Sequence, residues 1–237
     1  MITAAESDPT PVTDLDHRRQ SQTQITESFE RQSSTMSPSQ INLAPGSVIV
    51  FEGLDKAGKS TQLELLRARV STETTLFTHM PSGLTDFSRQ LYSLLEENPP
   101  GSGLARQLTH LASHSENISK IIDATGAGSL VLDRWWWSTM AYGWYGGDIP
   151  GTGLSESAFR ELIDCIWVPV TASMVFLFLT AREEDPNNVD GVAEGYRTLA
   201  ARHPGNVAHV PELSPDDTHE FIIEALSEAN LATVDHQ

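Results

Sequence analysis

A glycine-rich segment between an apolar run and a helical pattern constrains this chain more than any other feature. It follows the apolar residues Val48–Phe51 and reads Gly-Leu-Asp-Lys-Ala-Gly-Lys-Ser, which completes the phosphate-binding pattern G-x-x-x-x-G-K-[ST]. An amphipathic helix is indicated after it by Leu63, Leu65, Leu66 and Val70. This order predicts a buried strand, a phosphate-binding loop and a helix whose N-terminus faces the bound anion.

The residue types in this loop fit the chemistry of a bound polyphosphate. Gly53 and Gly58 allow the backbone to curl so that successive N–H groups point at phosphate oxygens. Lys59 then meets the β- and γ-phosphates, and the Ser60 hydroxyl can ligate Mg²⁺. A chance match to the pattern is the alternative, but the strand before the loop and the helix after it favour a nucleotide site.

The net charge of the chain restricts the kinds of molecule that it is expected to bind. The 237 residues carry a formal net charge of −17, which argues against a nucleic-acid backbone as the main partner. Two of the three lysines, Lys56 and Lys59, lie in the glycine-rich loop, so positive charge is concentrated where a polyphosphate would bind. No apolar stretch is long enough to cross a bilayer, and the N-terminus lacks the apolar core of a signal peptide. We therefore expect a cytoplasmic protein with a nucleotide substrate, no nucleic-acid partner and no membrane partner.

The rest of the chain divides into a polar tail and one domain. Residues 1–42 are rich in Ser, Thr, Gln, Asp and Pro, which predicts a disordered tail or a misassigned translation start. Residues 43–237 alternate apolar runs with helical patterns, which predicts the α/β fold of a P-loop NTPase, three layers (α/β/α) with a five-stranded parallel sheet. Cys165 lies in an apolar helical segment, so we predict a buried and inert thiol. The predicted strands are 48–51, 75–78, 129–133, 174–179 and 207–210.

A second motif ends one of the predicted strands. The apolar run Ser129–Asp133 terminates in a carboxylate and is followed by Arg134. In phosphate-loop enzymes an acid at this point holds Mg²⁺ or its water shell, and an adjacent arginine can reach a phosphate. The alternative is an ordinary strand end with surface charges.

With both motifs in place, the chain resembles the thymidylate kinase family of nucleoside monophosphate kinases over most of residues 47–210. The family implies phosphoryl transfer from MgATP to a deoxynucleoside monophosphate, with ATP and Mg²⁺ as cofactors, and it implies a homodimer. The resemblance rests on Phe51-Glu52-Gly53, on Gly58-Lys59-Ser60-Thr61-Gln62, on Pro81, and on Asp133-Arg134-Trp135 followed by Ser138, Ala141 and Tyr142.

The resemblance also implies residue roles. By position, Lys59 and Ser60 serve ATP and Mg²⁺, Asp55 lies near the acceptor sugar hydroxyl, and Asp133 and Arg134 face the acceptor phosphate and the metal. The predicted catalytic residues are Lys56, Lys59, Asp133 and Arg134, and the predicted metal ligands are Ser60 and Asp133. The predicted donor-binding residues are Gly53, Asp55, Ala57, Gly58, Lys59, Ser60, Thr61 and Arg182. The predicted acceptor-binding residues are Asp55, His79, Pro81, Arg89, His110, His114, Arg134, Trp135, Ser138 and Tyr142.

The acceptor region departs from the family in three positions that have become histidine. The family has Thr-Arg-Glu-Pro where this chain has Thr-His-Met-Pro, so His79 replaces an arginine. In a long helix predicted over 104–124, His110 aligns with the base-stacking aromatic residue and His114 with the next arginine. Both should project from one helix face together with Asn117, away from an apolar stripe. The histidines could bind an acceptor other than dTMP, gather a divalent metal, or form a solvated face. The predicted apolar stripe is Leu104, Leu108, Leu111, Ile118 and Ile122.

Two further segments leave alternatives open. Residues 180–188 are shorter than the usual lid, and Arg182 either serves as the lid arginine or pairs at the surface with Glu183 or Asp185. A truncated lid is expected to exclude water less completely. In Trp135–Trp137, one or two indoles could stack on the base, while the others are expected to pack in the core.

These observations predict a nucleoside monophosphate kinase. A kinase that acts on a nucleoside or another small hydroxyl compound is one alternative, since an acceptor without a phosphate would not need the missing arginines. A degenerate ATP-binding regulatory module is the other alternative, motivated by the altered acceptor region and the short lid.

Overall fold

Strands and helices alternate along the described part of the protein, residues 39–81 and 83–235 of the computed structural model. The predicted disordered tail, residues 1–42, lies outside the described residues except for its last four. The strands are β1 (Ile41–Leu43), β2 (Val48–Gly53), β3 (Thr75–His79), β4 (Ser129–Asp133), β5 (Met174–Phe178), β6 (Asn206–His209) and β7 (Ala232–Val234). The helices are α1 (Lys59–Arg67), α2 (Asp86–Glu97), α3 (Gly103–Ala127), α4 (Trp136–Met140), α5 (Glu156–Trp167), α6 (Asp190–Arg202) and α7 (Pro215–Glu228).

The five-stranded parallel sheet is confirmed, with the strand order β3-β4-β2-β5-β6. Strand β2 lies at its centre, and every residue of β2 is buried. Such burial on both faces explains why the strand reads as a continuous apolar run rather than an alternating one. The loop after β2 therefore opens at the middle of the carboxyl edge of the sheet, where open α/β sheets bind ligands.

The strand register brings the two sequence motifs together. Asp133, the last residue of β4, is opposite Phe51 in β2 and opposite His79 in β3. On the other side of β2, Phe51 is opposite Phe176 in β5, and the two rings are 5.4 Å apart. The glycine loop, Asp133 and His79 consequently share one edge of the sheet.

A short antiparallel pair lies outside the main sheet and was not predicted. Strand β1 pairs with β7, with Ile41 opposite Val234, so the predicted disorder is wrong for Ile41 and Asn42. Each strand has only three residues, which is too short for a distinct alternating pattern. Within residues 39–81 and 83–235, none of the helices has the length and apolar character required to cross a bilayer.

The predicted apolar stripe of α3 is only partly correct. Leu111 is buried as expected, but Leu108 and Ile122 are 44% and 41% exposed. The helix instead turns His114 and Asn117 inward. There Asn117 Oδ1 accepts from the hydroxyl of Ser88, and Asn117 Nδ2 donates to the carbonyl oxygen of Pro81. The buried face of α3 is therefore partly polar.

The prediction of a buried Cys165 is wrong. Helix α5 buries Phe159, Ile163 and Trp167, which recur at i, i+4 and i+8. Cys165 falls on another side of the helix and is exposed. The exposure of Cys165 therefore depends on its position in the helical period and not on its apolar neighbours in sequence.

Candidate active site

The phosphate loop has the geometry of an anion cradle. Gly58 has a φ of +92° at the start of α1, and a Cβ on Gly53 would lie 2.0 Å from the carbonyl oxygen of Phe178. Both positions therefore require glycine. In the described part of the chain, the N–H groups of residues 56–58 have no hydrogen-bond acceptor. Three such amides beside a helix N-terminus fit a phosphate group.

Lys59 is held inside this loop. Its side chain is buried, and Nζ donates to the carbonyl oxygens of Gly53 at 3.2 Å and Leu54 at 2.6 Å. Burial, together with the nearby charge of Arg134, lowers the pKa of Lys59 to about 7. The lysine is thus at the base of the cradle, and a bound anion would favour its charged form.

Arg134 links the end of β4 to the phosphate loop. Its Nη1 donates to the carbonyl oxygen of Gly53 at 3.1 Å, to Ser138 Oγ at 2.9 Å and to the Tyr196 hydroxyl at 3.3 Å. Its Nη2 forms an ion pair with the carboxylate of Asp55. The side chain is 15% exposed, so the guanidinium is largely fixed in direction and still accessible from the edge of the sheet.

A fully buried carboxylate lies beneath Arg134 and was not predicted as a site residue. Glu52 Oε1 accepts from the backbone N–H groups of Trp135 at 2.7 Å and Ser138 at 3.0 Å. Glu52 Oε2 accepts from the hydroxyls of Ser138 at 2.7 Å and Tyr196 at 3.0 Å. Burial raises the pKa of Glu52, while Arg134 and these donors oppose the shift. The two hydroxyls therefore bridge the buried carboxylate and the arginine.

Asp55 is bonded through its backbone as well as its carboxylate. Its N–H group donates to the Tyr142 hydroxyl and to Asn188 Oδ1, each at 3.0 Å. Asn188 Nδ2 donates to the carbonyl oxygen of Asp55 at 2.9 Å. The ring of Tyr142 also lies under the guanidinium of Arg134, 5.4 Å from its carbon. Tyr142 and Asp55 thus meet as predicted, whereas no sequence pattern singled out Asn188.

The three predicted histidines lie close enough to influence one another electrostatically. His79 packs edge-on against Tyr92. His114 packs edge-on against Trp167, and its Nδ1 accepts from the indole N–H at 3.3 Å. Burial lowers the pKa of His79, and it lowers the pKa of His110 to about 4 and that of His114 to about 3. All three imidazoles are therefore neutral near pH 7.

Two of the three interpretations of this histidine face can be tested against the structure. A solvated face is wrong, because His114 is buried and Nδ1 of His110 is also shielded from solvent. Among residues 39–81 and 83–235, no cluster of three His, Cys, Asp or Glu side chains could hold a metal ion. The interpretation that remains is binding of an acceptor other than dTMP, which stays a prediction.

The other predicted acceptor residues have different surroundings. Pro81 O accepts from Asn117 Nδ2 at 3.3 Å and from the hydroxyl of Ser113, which ties the loop after β3 to α3. Arg89 is exposed, donates to Gly83 O at 2.7 Å and pairs with Asp86. The three tryptophans after Arg134 are all buried in ring contact with one another, so packing is observed for all three, while base stacking by one or two of them stays a prediction. These tryptophans are Trp135, Trp136 and Trp137.

The short segment after β5 lies along the phosphate loop. The Arg182 N–H group donates to Lys56 O at 2.9 Å, and its guanidinium donates to Leu213 O at 2.8 Å. Glu183 pairs with Lys56 at 3.9 Å, so the alternative in which Arg182 takes that carboxylate is not observed. A pocket opens beside Arg182 and Gly58. Its other lining residues include Gln62, Thr180, Val210, Glu212 and Thr218.

The two predicted metal ligands occupy the same edge of the sheet. Ser60 is in the first turn of α1, and Asp133 ends β4 with its side chain half-buried. A hydroxyl and a carboxylate oxygen are ligands that suit Mg²⁺ when phosphate oxygens and water complete the shell. The residues present therefore fit the ion.

The parallel sheet, the phosphate loop with its buried lysine, and the acid and arginine after the adjacent strand define a P-loop kinase. A family model described as thymidylate kinase matches residues 51–156. The chain is 30% identical to the thymidylate kinase of Citrifermentans bemidjiense, over 67% of this chain and 81% of that protein. It is 28% identical to the thymidylate kinase of Prosthecochloris aestuarii, over 75% of this chain and 92% of that protein. The chain belongs to the thymidylate kinase family, which consists of nucleoside monophosphate kinases.

Solved structures agree on the fold. Thymidylate kinase from Ehrlichia chaffeensis superposes with a TM-score of 0.63 at 24% identity, covering 76% of this chain and 98% of the other. Thymidylate kinase from Candida albicans gives a TM-score of 0.58 at 18% identity, covering 83% and 97%. At these identities the likeness establishes the shared α/β architecture.

Proposed function

We propose that the protein transfers the γ-phosphoryl group of MgATP to a deoxynucleoside monophosphate, with dTMP or a related nucleotide as the acceptor. One observation carries the proposal. The unbonded amides of residues 56–58 and the buried Lys59 adjoin Arg134, whose guanidinium bonds the carbonyl oxygen of Gly53. A phosphate cradle and a fixed cation thus meet at one edge of the sheet, in a chain of the thymidylate kinase family.

The donor nucleotide is assigned to the phosphate loop and the pocket beside it. The amides of residues 56–58 and Lys59 would bind the β- and γ-phosphates, and the dipole of α1 would add to the attraction. Arg182 and Gln62, which line the adjoining pocket, would contact the rest of the nucleotide. Ser60 and Asp133 would hold Mg²⁺, which neutralises charge on the phosphate oxygens.

The acceptor is assigned to the side of Arg134 and the histidines. Arg134 would stabilise negative charge on the transferred group, and the Asp55 carboxylate, which pairs with Arg134, would lie near the acceptor hydroxyl. Lys56, exposed at the tip of the loop, would add a second positive charge. Catalysis would come from positioning and charge neutralisation without a covalent enzyme intermediate.

The neutral histidines support a second candidate, a kinase with a nucleoside acceptor. Burial lowers the pKa of both His79 and His114, so neither supplies the positive charge of the arginine that the family carries there. An imidazole also lacks the two-pronged hydrogen bonding that arginine offers a phosphate. An acceptor without a phosphate would not require either property.

One assay separates these functions. ATP consumption and product mass would be measured with dTMP, thymidine and a panel of other nucleoside monophosphates, with Lys59→Ala as the inactive control. Formation of dTDP, lost in Lys59→Ala, supports the proposal. Turnover with thymidine alone would favour the nucleoside kinase, and ATP binding without consumption for every acceptor would favour a regulatory module.

Two expectations about the cellular protein also stay predictions. The family resemblance implies a homodimer, which sedimentation velocity of the purified protein would test. A cytoplasmic location is expected for an enzyme of deoxynucleotide synthesis, and fractionation of the source cells would test it.

A further inference from the structure

The loop between β5 and α6, residues 179–189, contacts the phosphate loop at both of its ends. Near its start, the Arg182 N–H group donates to Lys56 O at 2.9 Å. Near its end, Asn188 bonds to Asp55, the preceding residue of the phosphate loop. The β5–α6 loop therefore lies against the phosphate loop and braces it.

The Asn188 amide satisfies both backbone polar groups of Asp55. Its Oδ1 accepts from the Asp55 N–H group at 3.0 Å, and its Nδ2 donates to the Asp55 carbonyl oxygen at 2.9 Å. The Tyr142 hydroxyl completes the arrangement, since it accepts from the same N–H group and donates to Asn188 Oδ1 at 3.1 Å. A side-chain amide has one donor group and one acceptor on a single plane, so it pairs with a backbone as a neighbouring strand does.

This pairing fixes a residue whose side chain is also engaged. The Asp55 carboxylate forms the ion pair with Arg134. The guanidinium of Arg134 also donates hydrogen bonds to the hydroxyls of Ser138 and Tyr196. With the N–H and C=O groups of Asp55 both held, only the rotation of its own side chain can redirect the carboxylate. A displacement of the Asp55 backbone would therefore also displace the guanidinium of Arg134.

We infer that Asn188 is a positioning residue that holds Asp55, and through it Arg134, in the geometry required for phosphoryl transfer. The inference rests on the proposed function, in which the side chains of Asp55 and Arg134 lie beside the acceptor. Asn188 has no proposed contact with either substrate. It acts only through the residue that it holds.

A positioning role predicts a specific kinetic signature. Asn188→Ala removes the donor and the acceptor together, and a small displacement of reacting groups can reduce turnover by about 100-fold. We expect kcat to fall by about 10- to 100-fold, while the KM for ATP changes by less than about threefold. The KM for ATP is spared because the amides of residues 56–58 make no bond to Asn188.

Two further variants sharpen the comparison. Asn188→Asp keeps an acceptor for the Asp55 N–H group but loses the donor and places a second negative charge beside Asp55, so its kcat should fall at least as far. Asn187→Ala is the matched control, because Asn187 is the same residue type, is exposed, and makes its described contact through its backbone N–H to Asp185. Its kcat should equal that of the wild-type protein.

The exchange rate of the Asp55 amide hydrogen gives a readout that does not depend on activity. Asn188→Ala should accelerate exchange at Asp55, since one of the two acceptors of that N–H group is lost, and Asn187→Ala should not. Faster exchange with a reduced kcat in a folded protein supports the inference. Wild-type kcat in a folded Asn188→Ala protein, or unchanged exchange at Asp55, overturns it.

The proposed function and this inference fail in different ways. If the wild-type protein phosphorylates no nucleotide, the proposed function fails, while unchanged exchange at Asp55 in Asn188→Ala would refute the bracing of the loop. If Asn188→Ala does not fold, Tyr142→Phe removes the other acceptor of the same N–H group. Faster exchange at Asp55 in that variant supports the inference, and unchanged exchange overturns it.

Discussion

The buried carboxylate of Glu52 is expected to stabilise the fold through the donors that surround it. In Glu52→Gln, the amide oxygen keeps the two backbone donors, but the amide nitrogen now faces the hydroxyls of Ser138 and Tyr196. Each hydroxyl could accept from that nitrogen as well as from Arg134, but its O–H group would then lose the oxygen to which it now donates. Hydrogen bonds to a charged group contribute about 1.5–3 kcal/mol each. Two lost bonds, less the desolvation cost that the neutral amide avoids, give a loss of about 3 kcal/mol.

This value can be measured by urea unfolding followed through tryptophan fluorescence. A loss of about 3 kcal/mol is a large part of the 5–15 kcal/mol that stabilises a typical domain, so the midpoint should fall clearly while the slope stays constant. Glu64→Gln is the matched control, because it makes the same substitution on an exposed face of α1. A change in the free energy of unfolding below about 1 kcal/mol, or equal to that of Glu64→Gln, would refute the reasoning.

Three further outcomes follow from the same contacts. Because burial lowers the pKa of Lys59 to about 7 and a bound polyphosphate favours its protonated form, ATP affinity should fall by up to about tenfold per pH unit above pH 7. Calorimetry in two buffers should detect the linked proton uptake, and a pH-independent Kd would contradict it. The pKa of His114 is lowered to about 3 from an unfolded value near 6.5, so stability present above pH 6.5 should be lost as the pH falls, by up to about 1.4 kcal/mol per unit. His114→Gln should flatten that decline in urea titrations between pH 6.5 and 4, and an unchanged slope would argue against the shift. Tyr196→Phe should cost about 1–2 kcal/mol, seen as a melting point lower by about 2–8 °C, because the hydroxyl links Glu52 to Arg134. A melting point equal to that of the wild-type protein would contradict that link.

Several features of the site were predicted because they depend on neighbours in sequence. The turn between β2 and α1 needs glycine at residues 53 and 58, and the pattern of residues reveals that need directly. The acid and arginine at the end of β4 follow their own apolar strand, and Tyr142 follows them at a spacing typical of the family. The spacing of residues along the chain is therefore sufficient to predict a feature whose residues all lie close together in sequence.

Other features could not be predicted because they depend on which side of a helix faces the core. The apolar residues of α3 suggested a stripe that includes Leu108 and Ile122, yet the helix buries His114 and Asn117. The buried polar side chains find partners on other elements, such as the indole of Trp167 and the carbonyl of Pro81. Hydrophobicity alone does not contain that information, since a satisfied polar group costs little to bury.

The amino-acid sequence by itself determined the class of the protein and the chemistry of its phosphate loop, because a strand, a glycine turn and a helix in succession are sufficient to build an anion cradle. Only the tertiary structure decided how that loop is held. Asn188 is 133 residues from Asp55, and Tyr196 is 144 residues from Glu52. Hydrogen bonds over such separations have no local signature, since they exist only once the sheet and helices have brought the partners within reach.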